Sequence, residues 1–178
     1  MYDKQLVVIE LNMKKIARDN MILTIILIVL LVGLNALIHQ RFTSEFNLFD
    51  FFNFFLAYIV LIILHEAFHL IGFMLFGRVP YKELDYGINL KLGVAYATTK
   101  KPLKNAAMKK ALLLPFWTTG IMPTILGLTL DNFLIVIVGA LLIAGAMGDF
   151  YMYRELRKYP NDATVKDDPE EPKLYVYF

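Results

Sequence analysis

The chain contains four long apolar runs that are separated by polar segments. A helix needs about 20 apolar residues to cross a hydrocarbon core about 30 Å thick. The pattern therefore predicts an α-helical integral membrane protein with transmembrane helices at about 21–38, 51–76, 111–130 and 133–150. The third run contains Pro115, Gly120 and Pro123, which predicts a kinked helix. Residues 1–178 form one membrane domain, with a long loop at 77–110 and a tail at 151–178.

The polar segments contain short β-strand patterns. Apolar and small or polar residues alternate from Ile88 to Tyr96, and this period of two predicts a strand between helices 2 and 3. Segments 5–11 and 174–178 are also rich in strand-forming residues. The sequence leaves open whether the tail is an ordered strap or a loose end.

The basic residues predict the orientation of the chain in the membrane. Of the 18 Lys and Arg residues, all except Arg41 lie before the first run, in the loop 77–110 or in the tail 151–178. Basic residues accumulate on the cytoplasmic side of membrane proteins. We therefore expect both termini and the long loop to be cytoplasmic.

Composition supports this fold class and argues against several functions. The chain is 58% hydrophobic and 19% charged, whereas soluble domains are about 45–50% apolar and about 25% charged. Such a chain is too apolar for intrinsic disorder, and its net charge of +2 argues against nucleic-acid binding. Because there is no Cys, disulfide scaffolds, thiolate zinc sites and thiol nucleophiles are excluded.

Four ionisable residues stand within the predicted helices. Glu66 and Asp149 are the only acidic residues in these spans, and His65 and His69 share the second span with Glu66. Each ionisable group in a membrane helix costs about 2.5–3.5 kcal/mol on insertion scales. A cluster of them therefore indicates a functional site.

The cluster in the second span has the pattern H-E-x-x-H. Four helical residues correspond to about 400° of rotation, so His65 and His69 lie one turn apart on the same face, where both can bind one Zn²⁺. Glu66 lies about 100° around the helix, close enough to contact metal-bound water without binding the metal. This is the arrangement of a general base for water attack on a carbonyl.

Asp149 is the predicted third metal ligand, because a catalytic zinc takes three protein ligands and keeps one position open. At about 1.5 Å per residue, His65 and His69 lie about 21 and 27 Å along their helix from Phe51, at the outer surface. Asp149 lies about 24 Å from Phe133, which begins the fourth span on the same side. The three residues are therefore expected at one depth in the membrane.

Other interpretations of the same residues stay open at this point. The His-Glu-His cluster could form a hydrogen-bonded polar core or a proton path instead of a metal site. Asp149 could be an acid at the membrane interface that pairs with Arg154.

The chain resembles the small bacterial membrane proteins classed as zincin peptidases of unknown function, which are similar in turn to the site-2 intramembrane metalloproteases. The resemblance rests on these residues and motifs: His65-Glu66-Ala67-Phe68-His69, Gly148-Asp149, Tyr151, Pro160-Asn161-Asp162-Ala163 and Tyr175-Val176-Tyr177. It implies that His65, His69 and Asp149 bind zinc and that Glu66 is catalytic. It also implies location in a bacterial inner membrane.

The first functional hypothesis is a zinc-dependent intramembrane endopeptidase that cuts a membrane protein or peptide near the cytoplasmic side. Its substrate must be unwound before attack, and the strand Ile88–Tyr96 could hold the extended backbone by strand addition. A non-catalytic zinc-binding scaffold or regulator is the first alternative. An ion or proton carrier is the second, although spans 1 and 3 offer few polar residues to line a pathway.

Overall fold

The computed structural model describes residues 5–42, 47–89, 94–168 and 171–178. This part of the chain contains four helical segments that are long and apolar enough to cross a membrane, as predicted. They are α1 (Met13–His39), α2 (Leu48–Gly77), a third span from Asn105 to Thr129 and a fourth span from Phe133 to Leu156. Many apolar side chains of α1 and α2 are exposed, as expected for surfaces that face lipid.

The first two helices extend beyond their apolar runs because capping residues determine where they begin. The Asn12 side chain accepts a hydrogen bond from the backbone of Lys15, so α1 begins at Met13. At the start of α2, Asn47 and Asp50 form a reciprocal capping box.

The third span is interrupted in the middle, as its prolines predicted. It consists of α3 (Asn105–Pro115), a π-helical segment (Phe116–Ile121) and α4 (Met122–Thr129). In the π-helical segment the backbone bonds join residues five apart, as in the bond from the Met122 N–H to the Trp117 carbonyl. The irregularity therefore begins directly after Pro115, which has no N–H to continue the α-helical pattern.

The fourth span consists of α5 (Phe133–Gly145) and α6 (Met147–Leu156), which are separated at Ala146. In this bundle α5 packs against α1 and α4, and α2 packs against α3. The contact between α4 and α5 is close at Gly139, where an added Cβ would lie 2.9 Å from the Thr124 backbone nitrogen. A glycine is therefore required for the two helices to approach this closely.

Strands near the two ends of the described chain pair in one antiparallel sheet. Its strands are ordered β1 (Leu6–Glu10), β6 (Lys173–Tyr177), β5 (Thr164–Asp167) and β4 (Leu103–Lys104). The described part of the tail is thus ordered, which resolves the alternative that the sequence left open. Because β4 leads directly into α3, the terminal strands β1 and β6 and the start of the third span lie on the same side of the molecule.

A β-hairpin follows α2, where one strand was predicted. β2 (Leu84–Asn89) pairs with β3 (Val94–Thr99), and Ile88 stands opposite Ala95. Residues 90–93 of the predicted strand Ile88–Tyr96 lie outside the described residues. Alternation alone does not reveal a chain reversal, because each strand of a hairpin keeps the period of two. Residues opposite each other share a face, so Ile88 and Tyr96 lie on opposite faces of the hairpin.

Candidate metal centre

The fold brings His65, His69 and Asp149 together. The two histidines lie one turn apart on α2, and Asp149 lies in the first turn of α6. The Nε2 atom of His65 is 3.3 Å from Asp149 Oδ2, and Nε2 of His69 is 3.3 Å from Asp149 Oδ1. The equal depth expected from residue counting therefore corresponds to direct contact.

These three side chains have a suitable geometry for a metal ion. One ligand atom from each residue lies within 4.8 Å of the others. Zinc bonds of about 2.0–2.1 Å at tetrahedral angles place ligand atoms about 3.3–3.4 Å apart, which matches the two His–Asp distances of 3.3 Å. The two histidines are only 8% and 6% exposed, and Asp149 is partly buried.

The outer nitrogens of both histidines are hydrogen-bonded to the third span. Nδ1 of His69 is 3.2 Å from the carbonyl oxygen of Ala111, and a carbonyl oxygen can only accept. Nδ1 of His65 is 3.1 Å from Oγ1 of Thr119, whose own proton is donated to the Pro115 carbonyl at 2.8 Å. Both Nδ1 atoms therefore carry the ring proton.

With the ring protons on Nδ1, several hydrogen-bond acceptor atoms lie close together at the centre of the site. If each imidazole is neutral, both Nε2 atoms present a lone pair towards the carboxylate of Asp149. Lone pairs and carboxylate oxygens repel one another unless a cation or a proton lies between them. The donor set thus fits a bound metal ion, with two neutral imidazoles and one carboxylate as its ligands.

Glu66 lines the same cavity as the two histidines and Asp149. The cavity has a volume of about 580 Å³, which is large enough for a peptide segment as well as water. The predicted general base and the predicted ligands therefore face one common space.

The remaining walls come from segments that the sequence did not associate with the site. Ile16 and Asn20 contribute from the beginning of α1, and the β3 residues 95–98 form another wall. The C-terminal hairpin adds Asp167 and Leu174. The cavity is thus bounded by the membrane helices and by both small sheets.

Asp167 connects the C-terminal hairpin to β3. Its Oδ2 accepts a hydrogen bond of 2.6 Å from Oγ1 of Thr98, and its side chain lies in the wall of the cavity. Burial is the largest influence on this carboxyl group and raises its pKa to about 6, although the Thr98 hydrogen bond acts in the opposite direction. The backbone N–H of Asp168 also acts to lower the pKa, and the Asp168 carboxylate acts to raise it.

We expect the raised pKa of Asp167 to make stability depend on pH. Between pH 3.8, its ordinary pKa, and about 6, the folded protein keeps a proton that the unfolded chain releases. The free energy of unfolding therefore falls as pH rises through this window. Asp167→Asn keeps an acceptor for Thr98 and should unfold at a higher temperature than wild type at pH 7.5, with a smaller difference at pH 4. Thermal unfolding in detergent would measure this.

The control for this prediction is Asp162→Asn, since Asp162 is an exposed carboxylate in the turn before β5. As a substitution at an exposed position, it should leave the unfolding temperature close to that of wild type. A difference between Asp167→Asn and wild type that stays constant from pH 4 to 7.5 would contradict the role given to burial.

The sequence identified the side chains at the centre but missed those that surround them. The Ala111 carbonyl oxygen has no side-chain signal, although Pro115 four residues later indicates that this oxygen lacks its helical donor. Thr119 is a polar residue in an apolar run, which was a usable signal. Nothing local indicated that Thr98 and Asp167 would meet.

Comparison with known proteins identifies one family. A family model described as "Putative zincin peptidase" matches residues 58–164, a range that includes His65, Glu66, His69 and Asp149. This confirms the family resemblance predicted from the sequence motifs. A search of curated proteins and a search of solved structures each return no match.

Proposed function

Because the chain belongs to the Putative zincin peptidase family, we propose that it is a zinc-dependent intramembrane endopeptidase. It would hydrolyse a peptide bond of a membrane protein near the cytoplasmic side. The observation that carries this proposal is the convergence of two buried histidines and a partly buried aspartate, between membrane helices, in a cavity that Glu66 also lines.

In this proposal His65 and His69 hold the metal through Nε2, and Asp149 holds it through its carboxylate. Bound zinc supplies a Lewis acid that polarises the scissile carbonyl and acidifies the attacking water. The buried position of the two histidines strengthens electrostatic interactions within the site.

Glu66 is the proposed general base. Its carboxylate removes a proton from the attacking water as the new C–O bond forms at the scissile carbonyl carbon. The same carboxyl group then gives that proton to the amine nitrogen as the C–N bond breaks. A carboxylate at this position accounts for both transfers without a second acid.

The expected topology places the site towards the cytoplasm of a bacterial cell, in the inner membrane. The terminal strands β1 and β6 and the start of the third span share one side of the molecule, and that side carries nearly all of the basic residues. His69 lies about 10 Å along α2 from Phe76, at the end of the helix on the same side. In this proposal the site lies inside the membrane, and lipid surrounds the four spans.

The edge of β3 is the proposed holder of the substrate backbone. Tyr86 stands opposite Ala97. In the same ladder the Lys100 N–H donates to the Glu83 carbonyl at 2.8 Å, so these two residues form a hydrogen-bonded pair. Hydrogen-bonded and non-hydrogen-bonded pairs alternate, and the pair of Tyr86 and Ala97, three positions further on, is therefore one whose backbone groups point away from the hairpin. Ala97 therefore presents its N–H and C=O at the outer edge of β3, and Ala97 also lines the cavity. An extended peptide could add to this edge as a further strand.

We expect Ala97→Pro to reduce cleavage at least tenfold without loss of zinc, because proline removes the outward N–H. Cleavage can be followed with a pool of quenched-fluorescent hydrophobic peptides, and zinc by mass spectrometry. Tyr86→Pro is the control, since it alters the edge of β2 that faces away from β3. Equal losses in both variants, or loss of zinc from Ala97→Pro, would refute strand addition at β3.

Metal content is the test of the proposal as a whole. Purified wild type and Glu66→Gln should each contain about one zinc per chain, whereas His65→Ala and Asp149→Ala should contain none. A wild-type protein that holds no metal after reconstitution with zinc would overturn the proposal. The cluster would then be a proton path or a polar core.

A non-catalytic zinc-binding scaffold or regulator is the alternative function. It would use the same three ligands but would need neither a base beside them nor a large cavity. The presence of Glu66 in a cavity of about 580 Å³ therefore favours catalysis.

A further inference from the structure

We propose that Pro115 and Thr119, in the interrupted part of the third span, are positioning residues that orient the two histidines. Neither touches the metal or the substrate. Each acts through a hydrogen bond to an Nδ1 atom. This inference rests on the proposed function, because it assumes that His65 and His69 hold a metal ion.

Pro115 provides the hydrogen-bond acceptor for His69. In an α-helix the carbonyl of Ala111 would accept from the N–H of residue 115, but proline has none. Within a membrane span a carbonyl without its helical donor needs another partner. Nδ1 of His69 is 3.2 Å from this oxygen. The proline thus leaves a backbone acceptor free at the level of the metal centre.

The approach of the Ala111 carbonyl depends on Gly72. A Cβ added to Gly72, which lies three residues after His69, would be only 2.8 Å from the Ala111 Cα. Glycine therefore allows α2 and α3 to pack closely enough for the hydrogen bond. The three residues Gly72, Ala111 and Pro115 together determine where the His69 ring lies.

Thr119 provides the acceptor for His65 one turn further along the same span. Its side chain is 1% exposed, and its hydroxyl donates to the Pro115 carbonyl at 2.8 Å. With its proton committed in this way, the oxygen accepts from Nδ1 of His65 at 3.1 Å. The Pro115 carbonyl is thus the fixed point that orients the hydroxyl.

Both hydrogen bonds have the same consequence for the metal centre. A proton on Nδ1 forces the neutral imidazole to present its lone pair at Nε2, the atom that faces Asp149 in each histidine. The partners also fix the rotation of each ring. Outer partners of this kind typically change metal affinity by about 10–100-fold when they are removed.

Thr119→Val is the first test, because it keeps the shape of the side chain and removes the hydroxyl. We expect zinc affinity, measured by competition with a chromophoric chelator, to fall about 10–100-fold. Thr119→Ser keeps a hydroxyl and should bind zinc nearly as wild type does. Thr118→Val is the matched control, since the Thr118 hydroxyl donates to the Leu114 carbonyl at 3.0 Å, with a longer contact of 3.4 Å to the Pro115 carbonyl, and these contacts do not include a histidine.

Pro115→Ala is the second test. The new N–H would compete with His69 for the Ala111 carbonyl, and we expect about tenfold weaker zinc binding and altered visible bands in the cobalt-substituted protein. Pro123→Ala is its control, because Pro123 lies about two turns further along, in the first turn of α4. This second test remains informative if Thr119→Val does not fold.

The outcomes separate this inference from the proposed function. Wild-type zinc affinity in both Thr119→Val and Pro115→Ala would overturn the positioning roles and leave the metal site intact. Equal losses in Thr118→Val and Thr119→Val would also overturn them, because the effect would then be general to the helix. A wild-type protein that binds no zinc would instead refute the proposed function itself.

Discussion

Replacement of Glu66 by glutamine is expected to reduce peptide hydrolysis by about 10²–10⁴-fold and to leave zinc content unchanged. Glutamine occupies nearly the same volume, but its amide cannot accept a proton from the attacking water. Zinc is retained because the three proposed ligands are other side chains. Initial rates with the pool of quenched-fluorescent hydrophobic peptides, measured at equal zinc content, would give the effect on turnover.

Glu155→Gln is the matched control for this substitution. Glu155 is also a helical glutamate near the same end of the bundle, but it pairs with Lys158 at the surface. This variant should retain wild-type rates. Full activity in Glu66→Gln would contradict the role of general base, and loss of zinc would make Glu66 part of the metal site. If the wild type binds zinc and cleaves no peptide in the pool, the non-catalytic alternative gains support.

The sequence predicted the elements that depend on local composition. Apolar runs long enough to cross a membrane are independent of tertiary context, so all four spans were found. The spacing of His65 and His69 defines a common helix face. Asp149 could be placed beside them because membrane helices run between two fixed surfaces, which converts residue number into depth.

What the sequence did not predict depends on contacts between distant segments. The partner of His69 is a backbone carbonyl, Ala111, and backbone groups have no residue-type signal. The pairing of β1 with β6 joins strands near the two ends of the described chain, and strand alternation does not specify a partner. The same limitation explains the strand Ile88–Tyr96, whose alternation did not reveal the reversal between β2 and β3.

Asn105 is another residue whose role appears only in three dimensions. It begins α3 and is fully buried. Its Nδ2 donates to three carbonyl oxygens at the end of the fourth span, those of Leu156 at 2.9 Å, Tyr159 at 3.0 Å and Pro160 at 2.9 Å. This one amide group therefore closes the C-terminal end of α6 and joins it to the third span.

Asn105→Leu is expected to lower the free energy of unfolding by about 1–3 kcal/mol. Leucine has a similar size but no donor, so the part-buried Tyr159 carbonyl loses its Asn105 partner. The Leu156 and Pro160 carbonyls keep only their backbone donors, the N–H groups of residues 159 and 163. Thermal unfolding of the metal-free protein in detergent would measure the loss. Asn161→Leu is the control, because Asn161 is exposed and bonds to Lys109 at the surface.

The zinc affinity of Asn105→Leu should show whether the substitution also disturbs the metal centre. α6 carries Asp149 in its first turn and ends at Leu156, so a loosened C-terminal end lies about two turns from the proposed ligand. If α6 moves as one rigid helix, Asn105→Leu will weaken zinc binding as well as stability. If only its last turn frays, zinc affinity will match wild type while the unfolding temperature falls. An unchanged unfolding temperature would show that the carbonyls find other donors and that Asn105 does not hold the two spans together.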